Sequence, residues 1–466
     1  MVQPQEGARA SFLLRADSRA RSSLHALRTT LIVNNPAIRS SVAGCLLLLL
    51  SLALYLINPV VVISKHATRI SEGSEIYKLL NGDIETIHIS SYLFNVTNAA
   101  RFLSGEDRKL KVKEIGPFKY REIRINKDIN LDSDNEMLHY TPSTNITLIR
   151  ELSAADPADV MVTMPNVALL SMSSMMSHKP FWMKIPFNLL TSNEKSQAII
   201  NMSAHSYLWG YEEPLIKLGN KFLPGWIFFT QLGLLDRFLD RERPYKLVVS
   251  AANHNRFQVM KMNDIAGLTS WGYGEKSSDC NTFSDAYEGL GYPAEMTPST
   301  RVRLFRKMLC RMLDLEYVDT VMTPLGVKAL KYQISRDAFD LSEKNACLCP
   351  KGDCVKGYYD VSPCFYDLPL AMSQAHFLDG DPSLLERIEG LSPDPKLHGS
   401  EVLIEPTCGV ALTNTFTMQI NVKVDDVTYN NVAKPFANMM VPIAWFKIHE
   451  IPPTLRFRAA MTIRGC

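Results

Sequence analysis

The chain has 466 residues, with 50 Lys and Arg against 48 Asp and Glu and a formal net charge of +2. That balance excludes the broad basic surface of a nucleic-acid binder, and the length suffices for a large core with subdomains. Its 26 prolines and 23 glycines, without a low-complexity tract or an internal repeat, point to a turn-rich globular body.

Residues 1–39 hold the local basic surplus: Arg9, Arg15, Arg19, Arg21, Arg28 and Arg39 against Glu6 and Asp17. From Val42 to Ile63 there is no charge, and a helix over that stretch reaches roughly 30 Å, the thickness of a bilayer core. The arginines before it predict a cytoplasmic tail (1–39), an uncleaved transmembrane helix (40–64) and translocation of everything after Lys65. Two features agree with an oxidising, glycosylating compartment beyond the membrane. Sequons begin at Asn95, Asn145 and Asn201, and nine cysteines are present, six of them between Cys280 and Cys364. Six cysteines allow 15 pairings, and Cys-x-Cys-x4-Cys-x9-Cys lacks the paired spacing of a zinc site.

Within the ectodomain, Ser74–Leu80 predicts a short helix ended by Asn81-Gly82. Short strands are expected at 86–90, 92–96, 112–115, 118–125 and 145–150. Pro165 suits a first helical turn, and Val167–Met176 continues as a methionine-rich helix. A second helix, capped by Ser192 or Asn193, is expected to carry Ile199, Ile200 and Leu208 to Gly210. Tyr292–Pro298 reads as loop. Val302, Phe305, Met308, Leu309 and Met312 have helical spacing, so periodicity predicts a helix over 300–313. Phe416 to Val424 alternates apolar and polar residues, the pattern of a half-buried antiparallel strand.

Strings along this order resemble the class B scavenger receptor family, whose members include fatty-acid translocase, a lysosomal integral membrane protein, croquemort and the sensory neuron membrane proteins. The strings are Leu93-Phe-Asn-Val-Thr-Asn98, Glu114-Ile-Gly-Pro-Phe-Lys-Tyr-Arg-Glu122, Leu208-Trp-Gly-Tyr211 with Pro214, and Asn345-Ala-Cys-Leu-Cys349 through Asp360-Val-Ser-Pro-Cys364. Ser373-Gln-Ala-His-Phe-Leu378, Gly390-Leu-Ser-Pro393, His398, Glu405-Pro406 and Gln419-Ile-Asn-Val422 complete the series, with Phe118 and Ala375 departing from the usual residues. The resemblance implies a β-rich α+β fold: a large antiparallel β-barrel-like ectodomain (65–446) with a helical-bundle apex near 159–210, on the N-terminal transmembrane helix. It also implies the pairings Cys280–Cys347, Cys310–Cys364 and Cys349–Cys354, an internal lipid tunnel, and a strand-like context for residues 300–313 that conflicts with the periodicity. The family's second span after Val441–Trp445 is not expected here, because Lys447, His449, Glu450, Arg456, Arg458 and Arg464 interrupt 447–466. The string that follows the family's first cysteine is poorly kept at Thr282–Gly289.

The apex is the expected site of ligand capture. Met172, Met176 and Phe181 suit adaptable apolar ligands, and Lys184 and Lys195 suit an anionic head group, Lys195 falling nearest the family's apical lysines. The same methionine spacing also serves a helix core, and the lysines also serve as solvated charges. Phe222–Phe229 suits contact with lipid or burial against the barrel. His376 and His398 lack a neighbouring nucleophile and metal-ligand spacing, so they read as structural histidines, with no catalytic or metal site and no cofactor. The expectation is therefore a receptor and not an enzyme, in the plasma membrane or an endosomal or lysosomal membrane. Its partners would be lipids, fatty acids or anionic lipoprotein-type particles, not nucleic acid. A protein-binding trafficking receptor using the apex is the alternative.

Overall fold

The computed structural model describes residues 36–57, 59–193, 196–217, 229–239, 243–324, 326–349, 352 and 354–450. It comprises two compact units, 1–63 and 64–466. In the first, helix α1 (Pro36–Ile57) buries no residue and is long and apolar enough to cross a membrane. Helix α2 (Pro59–Ala67) has proline at its first position, where no amide hydrogen is needed.

The second unit starts with α3 (Glu75–Leu80), capped by Ser74, whose hydroxyl accepts the Tyr77 N–H. Then come β1 (Ile84–Val96), α4 (Ala99–Ser104), β2 (Leu110–Asp132) and β3 (Met137–Leu148). Four of the short strands expected here merge into β1 and β2. The ladder absorbs its interruption as a register shift between Ser91 and Leu93, opposite Gly116-Pro117. Gly116 has φ +143°, and a Cβ there would lie 2.6 Å from the Ser91 carbonyl oxygen, so the position demands glycine.

The apex follows as β4 (Met161–Pro165), α5 (Val167–Ser177), α6 (Phe181–Asn193), β5 (Ile199–Ser203) and α7 (Ala204–Trp209). The helix expected from Ser192 to Gly210 is overturned. Ile199 and Ile200 pair with Pro165 and Met164 of β4, and the helix restarts only where Ser203 caps it. Pro165 ends β4, and Asn166 caps α5.

The remaining elements are β6 (Tyr211–Glu212), β7 (Gln231–Leu232), α8 (Leu234–Leu239), β8 (Leu247–Ser250), β9 (Val259–Met262), β10 (Ala286–Tyr287), β11 (Val302–Arg306), β12 (Arg311–Met322) and β13 (Lys328–Ile334). Beyond them lie β14 (Tyr358–Asp360), β15 (Leu370–Ser373), β16 (Ile388–Glu389), α9 (Pro395–His398), β17 (Glu401–Glu405), β18 (Val410–Val424) and β19 (Met439–Glu450). The main sheet runs β10-β11-β12-β13-β17-β18-β19-β1-β2-β3-β8-β9. A bridge from Gln258, beside β9, to Tyr287 of β10 nearly closes it into a barrel.

The periodicity-based helix over 300–313 is overturned: β11 and β12 form an antiparallel hairpin. Val302 to Phe305 are all buried, so both faces are covered and no alternation is left to read. A single 3-10 turn at Lys307–Leu309 then supplies the helical spacing. The half-buried reading of β18 is corrected likewise. Thr417, Gln419 and Asn421 are fully buried and satisfied: Thr417 Oγ1 donates to the His398 carbonyl, Gln419 Nε2 to Asn421 Oδ1 and Asn421 Nδ2 to Ser373 Oγ. Disulfides join Cys280 to Cys347, Cys310 to Cys364 and Cys349 to Cys354; the first ties the loop before β10, and the second the β11–β12 turn, to the loops around β14.

Candidate functional site

The apical residues do not converge on one pocket. Asn166 caps α5 by accepting the Leu169 N–H, and its Nδ2 donates to Glu213 Oε2. Met172 packs against the core and Met176 is half-buried. Hydrogen bonds from Ser174 Oγ to the Lys423 carbonyl and from Tyr429 Oη to the Ser173 carbonyl fasten α5 to the end of β18. On α6, Phe181, Ile185 and Leu189 stand at i, i+4 and i+8 with 73%, 53% and 60% of their surface exposed, beside exposed Trp182. Lys184 Nζ sits 5.4 Å from the Tyr429 ring centroid. Lys195 lies outside the described residues, as does Phe222–Phe229 except for Phe229, which is buried. Asn145 and Asn201 are exposed; Asn95 is half-buried and its Oδ1 accepts the Thr163 N–H.

A cavity lies inside the barrel, where β1 begins and β19 ends. It measures about 290 Å³, and Ile87, Leu304, Leu309, Val402, Phe416 and Ile448 supply much of its wall. Arg124, also in the wall, is 2.8 Å from Glu288, and both are buried. Tyr140 Oη donates to the same carboxylate at 2.8 Å, and Arg124 Nε donates to Asn126 Oδ1. Burial alone would raise the Glu288 pKa, but Arg124 outweighs it and holds the carboxyl below its usual range. The pair is thus charged and satisfied within the protein. Toward the apex, beyond α8, lies a smaller cavity of about 30 Å³ walled by Tyr207, Phe229, Leu234, Phe365 and Leu370. Phe238 of α8 lines the smaller cavity and Leu239 the larger, so this helix stands between them.

A third constellation lies where β19 begins. Glu114 Oε2 accepts from Trp445 Nε1 at 2.6 Å and stands 3.0 Å from His376 Nε2. The His376 and His398 rings stack, and Trp445 stacks on Tyr92. Burial would raise the Glu114 pKa, but the hydrogen bonds from His376 and Trp445 bring it below its usual value. Burial, then the neighbouring His376, depress His398 to about 4. By residue type Glu114, His376 and His398 form a potential metal-binding group among the described residues. The tautomers argue otherwise. Nδ1 of His376 accepts the Ser392 N–H and Nδ1 of His398 the Asp394 N–H, so each neutral ring carries its hydrogen on Nε2. Metal-bound histidines show the reverse, donating from the second nitrogen. The group acts instead as a clamp on one carboxylate.

Spacing along the chain hides this clamp, since Glu114 and Trp445 come from opposite ends of the ectodomain. The strings marked Glu114, His376 and His398 separately, but nothing in the sequence joined them. The cavity's Arg124–Glu288 pair left no trace beyond two charges among apolar residues.

A model of the CD36 family matches residues 42–463. The chain belongs to the CD36 family. Scavenger receptor class B member 1 of Bos taurus is 26% identical over 366 residues, covering 77% of this chain and 70% of that protein. Lysosome membrane protein 2 of Rattus norvegicus is 26% identical over 347 residues, covering 73% and 70%. Protein peste of Drosophila melanogaster is 25% identical over 362 residues, covering 76% and 64%. The near-closed barrel with its helices is thus the fold of a CD36-family member, and the chain is a membrane protein of the scavenger receptor type.

Proposed function

We propose that this CD36-family protein binds lipids, fatty acids or lipoprotein-type anionic particles and passes apolar cargo through the interior of its barrel. The observation that carries this reading is the mainly apolar cavity of about 290 Å³ within the barrel. That is near the lower bound of ligand pockets, and burying each methylene of an acyl chain there contributes about 0.8 kcal/mol. No catalytic step or cofactor enters. The arginines before α1 favour a cytoplasmic N-terminus, with the glycosylated body facing the cell exterior or an endosomal or lysosomal lumen. Native mass spectrometry of the detergent-solubilised, glycan-trimmed chain tests the reading. Saturable fatty-acid adducts are expected in the wild type, with fewer in Val402→Trp, which fills the cavity. A correctly disulfide-bonded protein that never retains lipid overturns it.

The apolar face of α6 favours a second reading, a protein-binding trafficking receptor. A photo-crosslinker at Ile185 separates the two in cells: protein adducts support this alternative, and lipid adducts alone exclude it.

A further inference from the structure

The segment that leads into the barrel body, directly after Ile63, is fastened to one end of it. Lys65 stands 2.5 Å from Glu295. Three residues on, the Thr68 carbonyl accepts from Arg256 Nη1 at 2.7 Å, and Nη2 of that buried guanidinium donates to the Cys408 carbonyl. Cys408 lies in the turn after β17, where the Met296 N–H donates to the Pro406 carbonyl. Strand β17 pairs antiparallel with β13, Ile404 opposite Leu330, so the β12–β13 turn lies at this same end. The hairpin there runs past its neighbours. β11 accompanies β12 only as far as Leu315, so from Glu316 to Met322, roughly 20 Å, β12 is paired with β13 alone. Val318, at a bulge in that ladder, is 46% exposed, and Met322 is 66% exposed, as much as Leu47 of α1. Lys328, also exposed, pairs with Met322 across the ladder. The turn between them closes on itself. The Thr323 N–H donates to the Val327 carbonyl, the Val327 N–H to Thr323 Oγ1 and the Gly326 N–H to the Thr323 carbonyl, while Pro324 has no N–H to satisfy.

A single exposed methionine on an ordinary surface needs no explanation; this one stands at the end where the chain arrives from its membrane helix. A segment enters a lipid interface only if its backbone groups are bonded internally, and this turn meets that condition. A lysine at the same level keeps its ammonium among head-group phosphates while its methylenes lie along apolar chains. The open edge of β12 does not suit strand pairing with a second copy, because the bulge at Val318 and the charge of Asp319 both oppose it. We infer that the tip of the β12–β13 hairpin, Met322 foremost, enters the head-group and upper acyl region of the leaflet on its own side, with Val318 standing farther out. The contact sets the tilt of the barrel body over the bilayer. It rests on α1 crossing the membrane and is independent of the cavity and of the apex.

Single tryptophan substitutions in the full chain, reconstituted in phosphatidylcholine vesicles, test it. Phosphatidylcholine brominated on its acyl chains quenches indoles that reach those chains, and each variant is read against the wild type with its five tryptophans. Tyr55→Trp in α1 is the positive control, and Leu341→Trp, 59% exposed beyond the other end of β13, is the negative one. The emission added by Met322→Trp should be quenched and shifted to shorter wavelength, that added by Val318→Trp less so, and that added by Leu341→Trp not at all. These positions are exposed, and an unchanged melting temperature verifies folding. Equal quenching of Met322→Trp and Leu341→Trp, or none in Met322→Trp while Tyr55→Trp is quenched, overturns the inference. If Met322→Trp escapes bromolipid yet is shielded from aqueous acrylamide, increasingly so as more chains are loaded per vesicle, a second copy covers the hairpin and the inference falls. If Tyr55→Trp itself is not quenched, the reading of α1 as a membrane span falls, and the inference with it.

Discussion

His376 and His398 lie face to face, with ring centroids 4.0 Å apart and planes 8° from parallel. Each Nδ1 accepts a backbone N–H, from Ser392 and Asp394 respectively. A proton arriving at the His398 Nδ1 would have to displace the Asp394 amide. It would also set a cation against the neighbouring ring.

Acid should therefore loosen this corner of the barrel. The folded pKa of His398 is about 4 against an ordinary 6.5, depressed by burial and by His376. The neutral ring's contribution is thus fully present above pH 6.5 and is lost as pH falls toward 4. Allowing for solvent screening, the loss is on the order of 1–2 kcal/mol. Melting temperatures between pH 7 and 4.5 check this: His398→Phe keeps an aromatic ring but cannot titrate, so its curve should fall less than the wild type's. Parallel curves would refute the assignment.

Glu114→Gln tests the clamp separately. The amide keeps an acceptor for Trp445 Nε1 at 2.6 Å but loses the charge that strengthens this bond and the one from His376. Loss of two charge-assisted bonds should destabilise by about 2 kcal/mol, read from urea unfolding, with a shift in Trp445 emission. Wild-type stability and emission would mean that the carboxylate is not clamped.

The barrel was legible in the sequence because its strings recur in one order, and α3 was legible from its turn signals, whereas Pro165, read as a first helical turn, ends β4 and Asn166 caps α5. Residues 300–313 and β18 misled for one physical reason. A strand covered on both faces has no polar side, so Val302–Phe305 lost its alternation, while Thr417, Gln419 and Asn421 looked solvent-facing yet are buried among partners. Ile199 and Ile200 were drawn into β5 by pairing with β4, which no local window contains. The candidate sites were less legible still. The apical residues were expected as one set, but Met172 turns inward and Phe181 outward, while the cavity is walled by strands from every part of the ectodomain.

Gly116→Ala probes the signature string directly. Its φ of +143° disfavours any side chain, and the added Cβ would meet the Ser91 carbonyl at 2.6 Å, a backbone atom that cannot swing aside. A loss of about 2 kcal/mol or more is expected in thermal unfolding, from backbone strain and overpacking together. A change within about 0.5 kcal/mol, typical of an unconstrained surface site, would show that the β1–β2 bulge relaxes freely.

Arg124 and Glu288 lend themselves to a double-mutant cycle. Both are buried, 2.8 Å apart, and Tyr140 and Asn126 satisfy further atoms of the pair. Arg124→Met strands the Glu288 carboxylate beside the cavity, so the single change should cost about 3–5 kcal/mol. Adding Glu288→Leu removes the stranded charge and leaves the Tyr140 hydroxyl without its acceptor and Asn126 Oδ1 without its Arg124 donor, both neutral groups, so the double variant should recover at least about 1 kcal/mol over Arg124→Met. Additive losses in urea unfolding would mean that the two side chains do not act as a pair. Recovery would show that the lining can be made apolar without collapse, and the double variant should then hold dodecanol at least as tightly as the wild type does.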